Sequence, residues 1–214
     1  KGATAIELAS LAQVLRETSV PLPHSCDRLI DTCGTGGGRP SFNLSTAAAI
    51  VAAACGAKIA KHGNRAVTSS CGSADALESL GFRMGLDPEQ SSKLLDLTGM
   101  VFLFAPHHHP AMKAVATARK ALGIRTVFNQ LGPLANPARA HRQLIGVYDF
   151  GFARPMAEAL RTLGCERALI VQGTDGLDEV SPCAPTRMVE LLGGEVEESV
   201  IEPQDFGLEP LPED

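Results

Sequence analysis

The residue types best suited to chemistry lie in polar loops, and the first of these loops is rich in glycine. It runs from Asp31 to Gly38 with the sequence DTCGTGGG and directly follows the apolar pair Leu29-Ile30. Glycines let the backbone approach a ligand closely and point successive N–H groups at an anion. The loop has neither the Gly-Lys-Ser/Thr ending of a Walker A motif nor the spacing of a GxGxxG motif. It therefore indicates an anion-binding loop of another kind.

Polar residues follow at the start of an alanine-rich helix. Asn43, Ser45 and Thr46 precede an apolar run that continues to Ala54. The hydroxyl groups could cap that helix, or they could hold a phosphate at its positive end. The spacing does not separate a cap from a phosphate site, and both interpretations stay open.

A second polar loop combines two cations with a histidine, an amide and several hydroxyl groups. Lys61–Arg65 reads KHGNR, and Thr68-Ser69-Ser70 and Gly72-Ser73 follow it. A solvated turn would account for Arg65, but it explains poorly why so many polar residues follow a buried strand. The composition favours a polyanionic ligand such as a phosphate group.

A run of three histidines, His107–His109, lies between Pro106 and Pro110. Consecutive side chains of a strand point to opposite faces, so three adjacent histidines rarely converge on one metal ion. The run is therefore interpreted as a loop wall. Arg119, on the helix predicted after it, is either a surface cation or a planar fork for a substrate carboxylate.

Acidic residues follow a third apolar segment. The sequence Gly173–Glu179 reads GTDGLDE and comes after the predicted strand Ala168–Val171. Adjacent carboxylates at a strand end suit Mg²⁺, which takes a few carboxylates together with water and substrate phosphates. They could also mark the start of a capped helix. Beside two candidate phosphate loops, the magnesium interpretation is preferred.

These loops must be positioned by an alternation of strands and helices. The pattern predicts an α/β fold with a largely parallel central sheet flanked by helices, in which ligands bind at the carboxyl ends of the strands. The predicted helices cover residues 5–15, 45–54, 74–80, 111–122 and 153–163, with another opening at Asp87-Pro88. The first predicted strand begins at residue 29, and further strands are predicted over residues 58–60, 101–104, 144–148, 168–171, 187–189 and 195–201. A loop is predicted over residues 105–110.

Composition excludes several classes of protein. The chain has 214 residues and a net charge of −5, which argues against steering toward nucleic acid or membranes. Only 4% of its residues are aromatic, which argues against base stacking with single-stranded nucleic acid. It contains no run of roughly 18 apolar residues, and residues 1–10 lack the pattern of a signal peptide, so neither a membrane span nor a signal peptide is expected. Six cysteines without a CxxC pair predict reduced thiols in a cytoplasmic protein, without disulfides or a zinc site.

Taken together, the motifs closely resemble those of one family, anthranilate phosphoribosyltransferase, an enzyme of tryptophan biosynthesis. They occur in the family's order and span nearly the whole chain. The pyrimidine nucleoside phosphorylases share parts of the pattern but lack the APHHHP loop followed by the RTVFN run. The matching strings are Asp31–Gly37, Phe42–Ala47, Lys61–Arg65, Gly72–Asp75, Phe104–Met112, Gly123–Asn136 and Gly173–Ser181.

The resemblance implies a reaction and an organisation. Such an enzyme transfers the phosphoribosyl group of 5-phosphoribosyl 1-pyrophosphate (PRPP) to the amine of anthranilate, with Mg²⁺, and releases pyrophosphate. It implies a nucleoside phosphorylase/phosphoribosyltransferase-like α/β fold and a homodimer formed through a small helical domain. Residues 1–22 would be a remnant of that domain, and residues 23–214 a catalytic domain that is incomplete at its C-terminal end. No nucleic acid or membrane partner is expected.

The resemblance also implies site residues. No general acid or base is assigned, because the aromatic amine is already neutral at pH 7. Anthranilate would contact Gly34, His62, Asn64, Ala105, Pro106 and Arg119, and Mg²⁺ would bind Ser45, Asp178 and Glu179. PRPP would contact Gly34, Gly37, Gly38, Ser41, Asn43, Leu44, Ser45, Thr46, Lys61, His62, Gly63, Asn64, Arg65, Ala66, Val67, Thr68, Ser69 and Ser73.

The sequence departs from the family at the glycine-rich loop. Gly38 stands where the family commonly has Asp, Arg39-Pro40 follows it, and the loop up to Phe42 is one residue shorter. The chain also lacks most of the family's N-terminal helices and its final segment. The alternatives are a related transferase or phosphorylase with another acceptor, and a catalytically silent PRPP-binding protein. The loop spacing disfavours a nicotinamide dehydrogenase.

Overall fold

A seven-stranded sheet forms the centre of the fold. The computed structural model describes residues 2–39, 41–66, 71–122, 124 and 126–212, without the side chains of residues 117–120 and 122. The strands are β1 Leu29–Gly34, β2 Lys58–Gly63, β3 Met100–Phe104, β4 Arg142–Gly146, β5 Arg167–Gly173, β6 Thr186–Leu192 and β7 Glu195–Ile201. The helices are α1 Ala5–Glu17, α2 Leu44–Ala54, α3 Ser73–Ser79, α4 Pro88–Thr98, α5 Ala105–His108, α6 Met112–Leu122, α7 Phe128–Leu134 and α8 Ala153–Thr162.

The strand order is β3-β2-β1-β4-β5-β6-β7. Strands β1 to β5 are parallel, β6 pairs antiparallel with β5, and β7 pairs antiparallel with β6. The largely parallel sheet predicted from the sequence is confirmed. The order reverses direction between β1 and β4, and in such sheets ligands bind beside this point at the carboxyl ends of the strands.

Local signals in the sequence explain where several elements begin and end. Asp87 accepts a hydrogen bond from the backbone N–H of Gln90 at 2.8 Å, and Pro88 occupies the first turn of α4. Gly99 ends this helix with φ of 78°, a left-handed conformation that favours glycine. The turn between β6 and β7 uses Gly193 and Gly194, both at positive φ, as expected for a tight hairpin.

Buried apolar clusters lie on both faces of the sheet. The largest combines α1 and α8 with β4, β5 and β6, and includes Leu8, Met156 and Leu160. On the opposite face, Ala49 of α2 and Leu77 of α3 pack against Ile59 of β2. The small side chains of α2 allow it to lie close to β1 and β2. Among the described residues, no helix combines the length and apolar character needed to span a membrane.

Two parts of the structure differ from the sequence-based expectation. The predicted loop over residues 105–110 contains the short helix α5, because Pro106 lies in its first turn, where a missing N–H costs nothing. Helix α7 was not predicted because Gly132 and Pro133 are poor helix formers. It is held by burial of Leu131 and Leu134 in the largest apolar cluster.

Candidate functional site

A cavity of about 370 Å³ opens at the carboxyl ends of β1 and β2. Its lining is mostly apolar and comes from both strand ends and from helices α1, α5, α6 and α7. Five of the six residues expected to contact an aromatic acceptor line this one cavity: Gly34, His62, Asn64, Ala105 and Pro106. The sixth is Arg119, whose side chain lies outside the described part of the chain. Its helix, α6, contributes Met112, Lys113 and Ala116 to the cavity wall.

His62 is a neutral wall of this cavity. Its Nδ1 lies 3.2 Å from the carbonyl oxygen of Gly132. Because a carbonyl oxygen can only accept a hydrogen bond, Nδ1 carries the proton in the neutral ring. Burial and the neighbouring His109 lower the pKa of His62 to about 3. The ring therefore offers no positive charge to an acidic ligand near neutral pH.

Lys61 points to the opposite face of β2, toward the start of α2. Its Nζ donates hydrogen bonds to the backbone carbonyl of Thr32 and, at 3.1 Å, to Ser45 Oγ. Burial lowers the pKa of Lys61, and the nearby carboxylate of Asp31 opposes that shift. The Lys61 ammonium and the Ser45 hydroxyl group are thus held together at the start of α2.

The start of α2 is not capped by its own N-cap residue, since Asn43 makes no side-chain cap hydrogen bond among the described residues. Thr46 Oγ1 is buried and has no hydrogen-bond partner in the described part of the chain. Thr32 Oγ1 donates to the backbone carbonyl of Ser45 at 2.8 Å and fixes this turn against β1. Of the two interpretations drawn from the sequence, these features favour a ligand over a self-contained cap.

The acidic loop after β5 reaches the same place. Burial and the charge of Asp178 raise the pKa of Glu179 to about 7, while Lys61 and the backbone of Ser45 oppose that shift. The segment does not begin a helix, so the capped-helix interpretation is wrong; a turn leads from β5 toward β6. Glu179 therefore lies near Lys61 and the start of α2.

Glycines make room for Asp178. A Cβ added at Gly38 would lie 2.5 Å from Asp178 Oδ1, and one added at Gly146 would lie 1.7 Å from its backbone oxygen. Arg39 donates its backbone N–H to the carbonyl oxygen of Gly176 at 2.9 Å, which joins the two loops. Gly38 is thus what allows the acidic loop to pack against the glycine-rich loop here.

The loop after β2 is organised by Asp75, in the first turn of α3. Its carboxylate accepts the backbone N–H groups of Ala66 at 3.0 Å and Gly72 at 2.9 Å. Arg65 is directed to Asp75, at 3.0 Å, and to Glu78, at 2.8 Å. The guanidinium of Arg65 is therefore engaged by two carboxylates in this structure, which the sequence-based interpretation did not anticipate.

The remaining residues expected at the donor site fall in three groups. Gly37 has φ of 92°, which requires glycine, and Ser41 donates to the Phe42 carbonyl at 3.1 Å. Ser73 Oγ donates to the carbonyl of Asn64 at 3.3 Å, so it lies beside the end of β2. The expected contacts Val67, Thr68 and Ser69 lie outside the described residues.

The three histidines of the APHHHP string lie on and after α5. His108 and His109 are buried, whereas His107 is exposed. His109 lies edge-on to His62, with 5.0 Å between the ring centroids, and lines the cavity. The expected wall therefore exists, but as a short helix and its end instead of a loop.

Comparison with known proteins decides the family. The model of the family described as "Glycosyl transferase family, a/b domain" matches residues 26–213 of this chain. The chain belongs to this glycosyl transferase family. It is 51% identical over 211 residues to the anthranilate phosphoribosyltransferase of Persephonella marina, covering 98% of this chain and 62% of that protein. It is 52% identical over 209 residues to that of Rubrobacter xylanophilus, covering 97% and 61%.

Solved structures of anthranilate phosphoribosyltransferases are also similar to this chain. The anthranilate phosphoribosyltransferase from Thermus thermophilus has a TM-score of 0.91 and 45% identity, covering 99% of this chain and 63% of that one. The enzyme from Saccharomyces cerevisiae in complex with PRPP and Mg has a TM-score of 0.87 and 37% identity, covering 98% and 58%. The chain thus spans about three fifths of the length of these relatives.

The donor set of this family member fits a hard cation. Ser45 Oγ, Asp178 and Glu179 supply oxygen only, and burial together with the charge of Asp178 raises the pKa of Glu179. Among the described residues, no group of three or more His, Cys, Asp and Glu side chains could hold a metal ion. A metal here would have few protein ligands, as Mg²⁺ does when water and phosphates complete its shell.

Sequence reasoning missed part of the cavity wall of this transferase domain. Leu15 comes from α1 and Phe128, Leu131 and Pro133 from α7, and none belongs to a polar motif. His109 was seen in the sequence but was not assigned to the site. Apolar residues carry no chemical signal of their own, and only the packing of distant segments brings them together.

Proposed function

We propose that the protein of which this chain is a part transfers the phosphoribosyl group of PRPP to the amine of anthranilate, with release of pyrophosphate. One observation carries the proposal: a mostly apolar cavity opens at the same strand ends as a glycine-rich loop, a buried lysine and the start of a helix. This arrangement supports an aromatic acceptor beside a polyanionic donor. The names of the relatives support the same reaction.

The donor is proposed to lie on the α2 side of the strand ends. The N–H groups of the loop from Gly34 to Gly38, the start of α2 and Lys61 would meet the pyrophosphate and phosphate oxygens. Because Lys61 donates to Ser45 Oγ, the Ser45 hydroxyl proton is free to point toward an acceptor such as a phosphate oxygen. Helix start, ammonium and hydroxyl group would together stabilise negative charge on the leaving group.

The acceptor is proposed to lie in the cavity. Its aromatic ring would pack on the apolar wall, Arg119 would bind the carboxylate as a planar fork, and Asn64 would contact the amine. His62 is neutral, so it would shape the wall without competing with Arg119 for the carboxylate. The role of the protein toward the acceptor is therefore positioning.

The bond changes follow from this placement. The amine lone pair forms the new bond to ribose C1, and the bond between C1 and the pyrophosphate oxygen breaks, its electron pair leaving with pyrophosphate. Positive charge develops on the ribosyl ring and negative charge on the leaving group. The amine releases one proton to water, and no side chain is required as a general base.

Ser45, Asp178 and Glu179 would hold Mg²⁺. When bound, Mg²⁺ neutralises charge on the pyrophosphate and makes it a better leaving group. Ionised Glu179 is favoured once a cation occupies this site, because the repulsion from Asp178 is then offset.

The proposed assembly is a homodimer formed through the helical N-terminal part. The outer face of α1 exposes Ile6 and Val14, which are 80% and 55% accessible in the single chain. Apolar side chains exposed to this degree on one helix face are typical of a surface that packs against another chain. Light scattering of the protein should give twice the chain mass, and a single chain mass would contradict the dimer.

Loss of anthranilate fluorescence tests the reaction. Protein, anthranilate, PRPP and Mg²⁺ are mixed, and a reaction without Mg²⁺ is the control. We expect fluorescence to fall only when all components are present, with one pyrophosphate released for each anthranilate consumed. PRPP that binds without loss of anthranilate would contradict the proposed acceptor, and a pyrimidine base consumed in its place would identify a phosphorylase-like activity.

A further inference from the structure

The backbone ladder between strands β1 and β2 stops before the strands end. The ladder between these two fully described strands joins only Leu29 with Lys58 and Ile30 with Ile59. Each strand nevertheless continues to pair with its other neighbour, β1 with β4 as far as Gly34 and β2 with β3 as far as Gly63. We call this stretch without β1–β2 backbone pairing, residues 31–34 and 60–63 at the carboxyl edge of the sheet, the fork.

Side chains replace the missing ladder in this fork. Asp31 Oδ1 accepts the backbone N–H of His62 at 3.1 Å, and Asn136 Nδ2 donates to the carbonyl of Ala60 at 2.8 Å. Lys61 Nζ donates to the backbone carbonyl of Thr32 across the fork. These three backbone groups, from both strands, therefore bond to side chains instead of to the facing strand.

Asn136 also connects the fork to the cavity wall. Its Nδ2 donates to Asp31 Oδ2 at 2.8 Å, and its Oδ1 accepts the backbone N–H of Ala138 at 2.8 Å. The residue lies between α7, which lines the cavity, and β4. One amide group therefore ties Asp31, the end of β2 and the segment after α7 to each other.

Stability alone does not explain this arrangement. Asp31 and Asn136 are 0% exposed and Lys61 is 1% exposed. Burial raises the pKa of Asp31, and Lys61 and the hydrogen bonds only oppose that shift. Burying ionised groups costs free energy that a continued backbone ladder would not incur. The retained charges call for a role that a regular sheet cannot perform.

We propose that Asp31 and Asn136 are positioning residues that keep the fork unpaired and thereby fix where β2 presents Lys61 to the donor side and His62 to the acceptor cavity. The cavity is lined by both prongs, with Cys33 and Gly34 from β1 and His62 and Gly63 from β2. A continued ladder would pair the backbone groups that now bond to Asp31 and Asn136, and it would shift the prongs that carry this part of the cavity wall. The kinetic part of this inference rests on the proposed function.

Asp31→Asn tests the inference, because it keeps the size of the side chain and removes its charge. We expect KM to rise about 10- to 100-fold for both PRPP and anthranilate, because both halves of the site shift together. Asn136→Ala should have the same signature, and it keeps both charges if Asp31→Asn does not fold. Unchanged KM values for both substrates in a folded variant would overturn the proposal.

Leu160→Ala is the matched control for lost stability. Leu160 is fully buried in the cluster around α8, away from the fork. This variant should lower the unfolding midpoint as much as the fork variants while leaving both KM values unchanged. If KM rises equally in Leu160→Ala, the fork residues have only a structural role and the proposal is wrong.

A crystal structure of Asp31→Asn decides the inference without any activity. We expect the β1–β2 ladder to extend beyond Ile30 and Ile59, or the prongs to shift, with a smaller cavity. An unchanged fork and cavity would overturn the proposal even if the wild type catalyses the transfer. If the wild type lacks the transfer but the fork closes in the variant, the proposed function fails and the fork inference stands.

Discussion

The two sides of this sheet handle their charged residues in opposite ways. On the antiparallel side, β6 pairs with β5 and with β7 through seven positions each. The charges there are exposed and meet across strands, with Arg167 and Glu190 at 2.7 Å and Arg187 and Glu198 at 2.9 Å. This region has a continuous ladder and places its ion pairs in solvent, where each contributes little.

At the fork, the ladder stops after two pairs and the charged groups are buried. Asp31 and Lys61 lie where this ladder has stopped. The difference indicates that regular pairing stabilises one side of the sheet, whereas the other side gives up regular pairing to form a site. Substitutions at the fork should therefore change the rate of transfer, and substitutions on the antiparallel side should not.

The largest effect is expected for Lys61→Met, which keeps a long side chain but removes the ammonium. Loss of the donor to Ser45 and of its charge should lower kcat about 100- to 1,000-fold. Lys93→Met, on an exposed position of α4, is the matched control and should leave kcat unchanged. Equal rates for the two variants would show that the fork does not contribute to transfer.

The next largest effect is expected for Arg119→Ala, which tests the acceptor side. Removing a charge-assisted contact to the carboxylate should raise KM for anthranilate roughly 10- to 100-fold and hardly change KM for PRPP. Steady-state kinetics with each substrate varied in turn measures both constants. Equal increases in the two constants would remove Arg119 from the acceptor site.

Replacing Asp178 and Glu179 together by Ala tests the cation site. The concentration of Mg²⁺ that gives half-maximal activity should rise about tenfold or more, because two of three proposed ligands are lost. Asp205→Ala, in the remote turn after β7, provides the control. An unchanged Mg²⁺ titration would assign the two carboxylates a structural role.

His62→Gln should change how stability depends on pH. The pKa of His62 is lowered to about 3 in the folded chain, so its contribution is complete above about pH 6.5 and is lost as pH falls toward 3. Because the ring stays neutral in the folded chain, the free energy of unfolding at pH 5 is about 2 kcal/mol lower than at neutral pH. Urea unfolding at pH 5 and 7 should show a smaller difference for the variant, and an identical difference would mean that His62 is not buried as a neutral ring.

The smallest effect is expected for Glu198→Gln on β7. The ion pair with Arg187 is exposed and lies on a complete ladder, so the free energy of unfolding should change by less than about 1 kcal/mol. Transfer should not change. A loss of several kcal/mol would show that the antiparallel side depends on its charges as much as the fork does.

The sequence predicted the parts of the fold that depend on local chemistry. Asp87 and Pro88 open α4 through a cap and a first-turn proline. The loop from Asp31 to Gly38 was placed at a strand end because glycines and polar residues followed an apolar pair. These signals act over a few residues and can be found without a structure.

The remainder depends on contacts between distant residues. The fork depends on Asn136 meeting Asp31, 105 positions away along the chain. Helix α7 forms despite Pro133 because packing outweighs helix propensity, and the engagement of Arg65 depends on the position of α3. Periodicity and spacing carry no information about such long-range contacts.

A crystal structure with PRPP, Mg²⁺ and benzoate would test most directly that transfer takes place at the fork. Benzoate has the ring and carboxylate of anthranilate but no amine, so it cannot react. We predict pyrophosphate oxygens against the Gly34–Gly38 loop and Ser45, and the benzoate ring in the cavity beside His62. A second cavity lies at the opposite strand ends, near Lys58 and Arg142. Benzoate bound there, with the fork empty, would contradict the account.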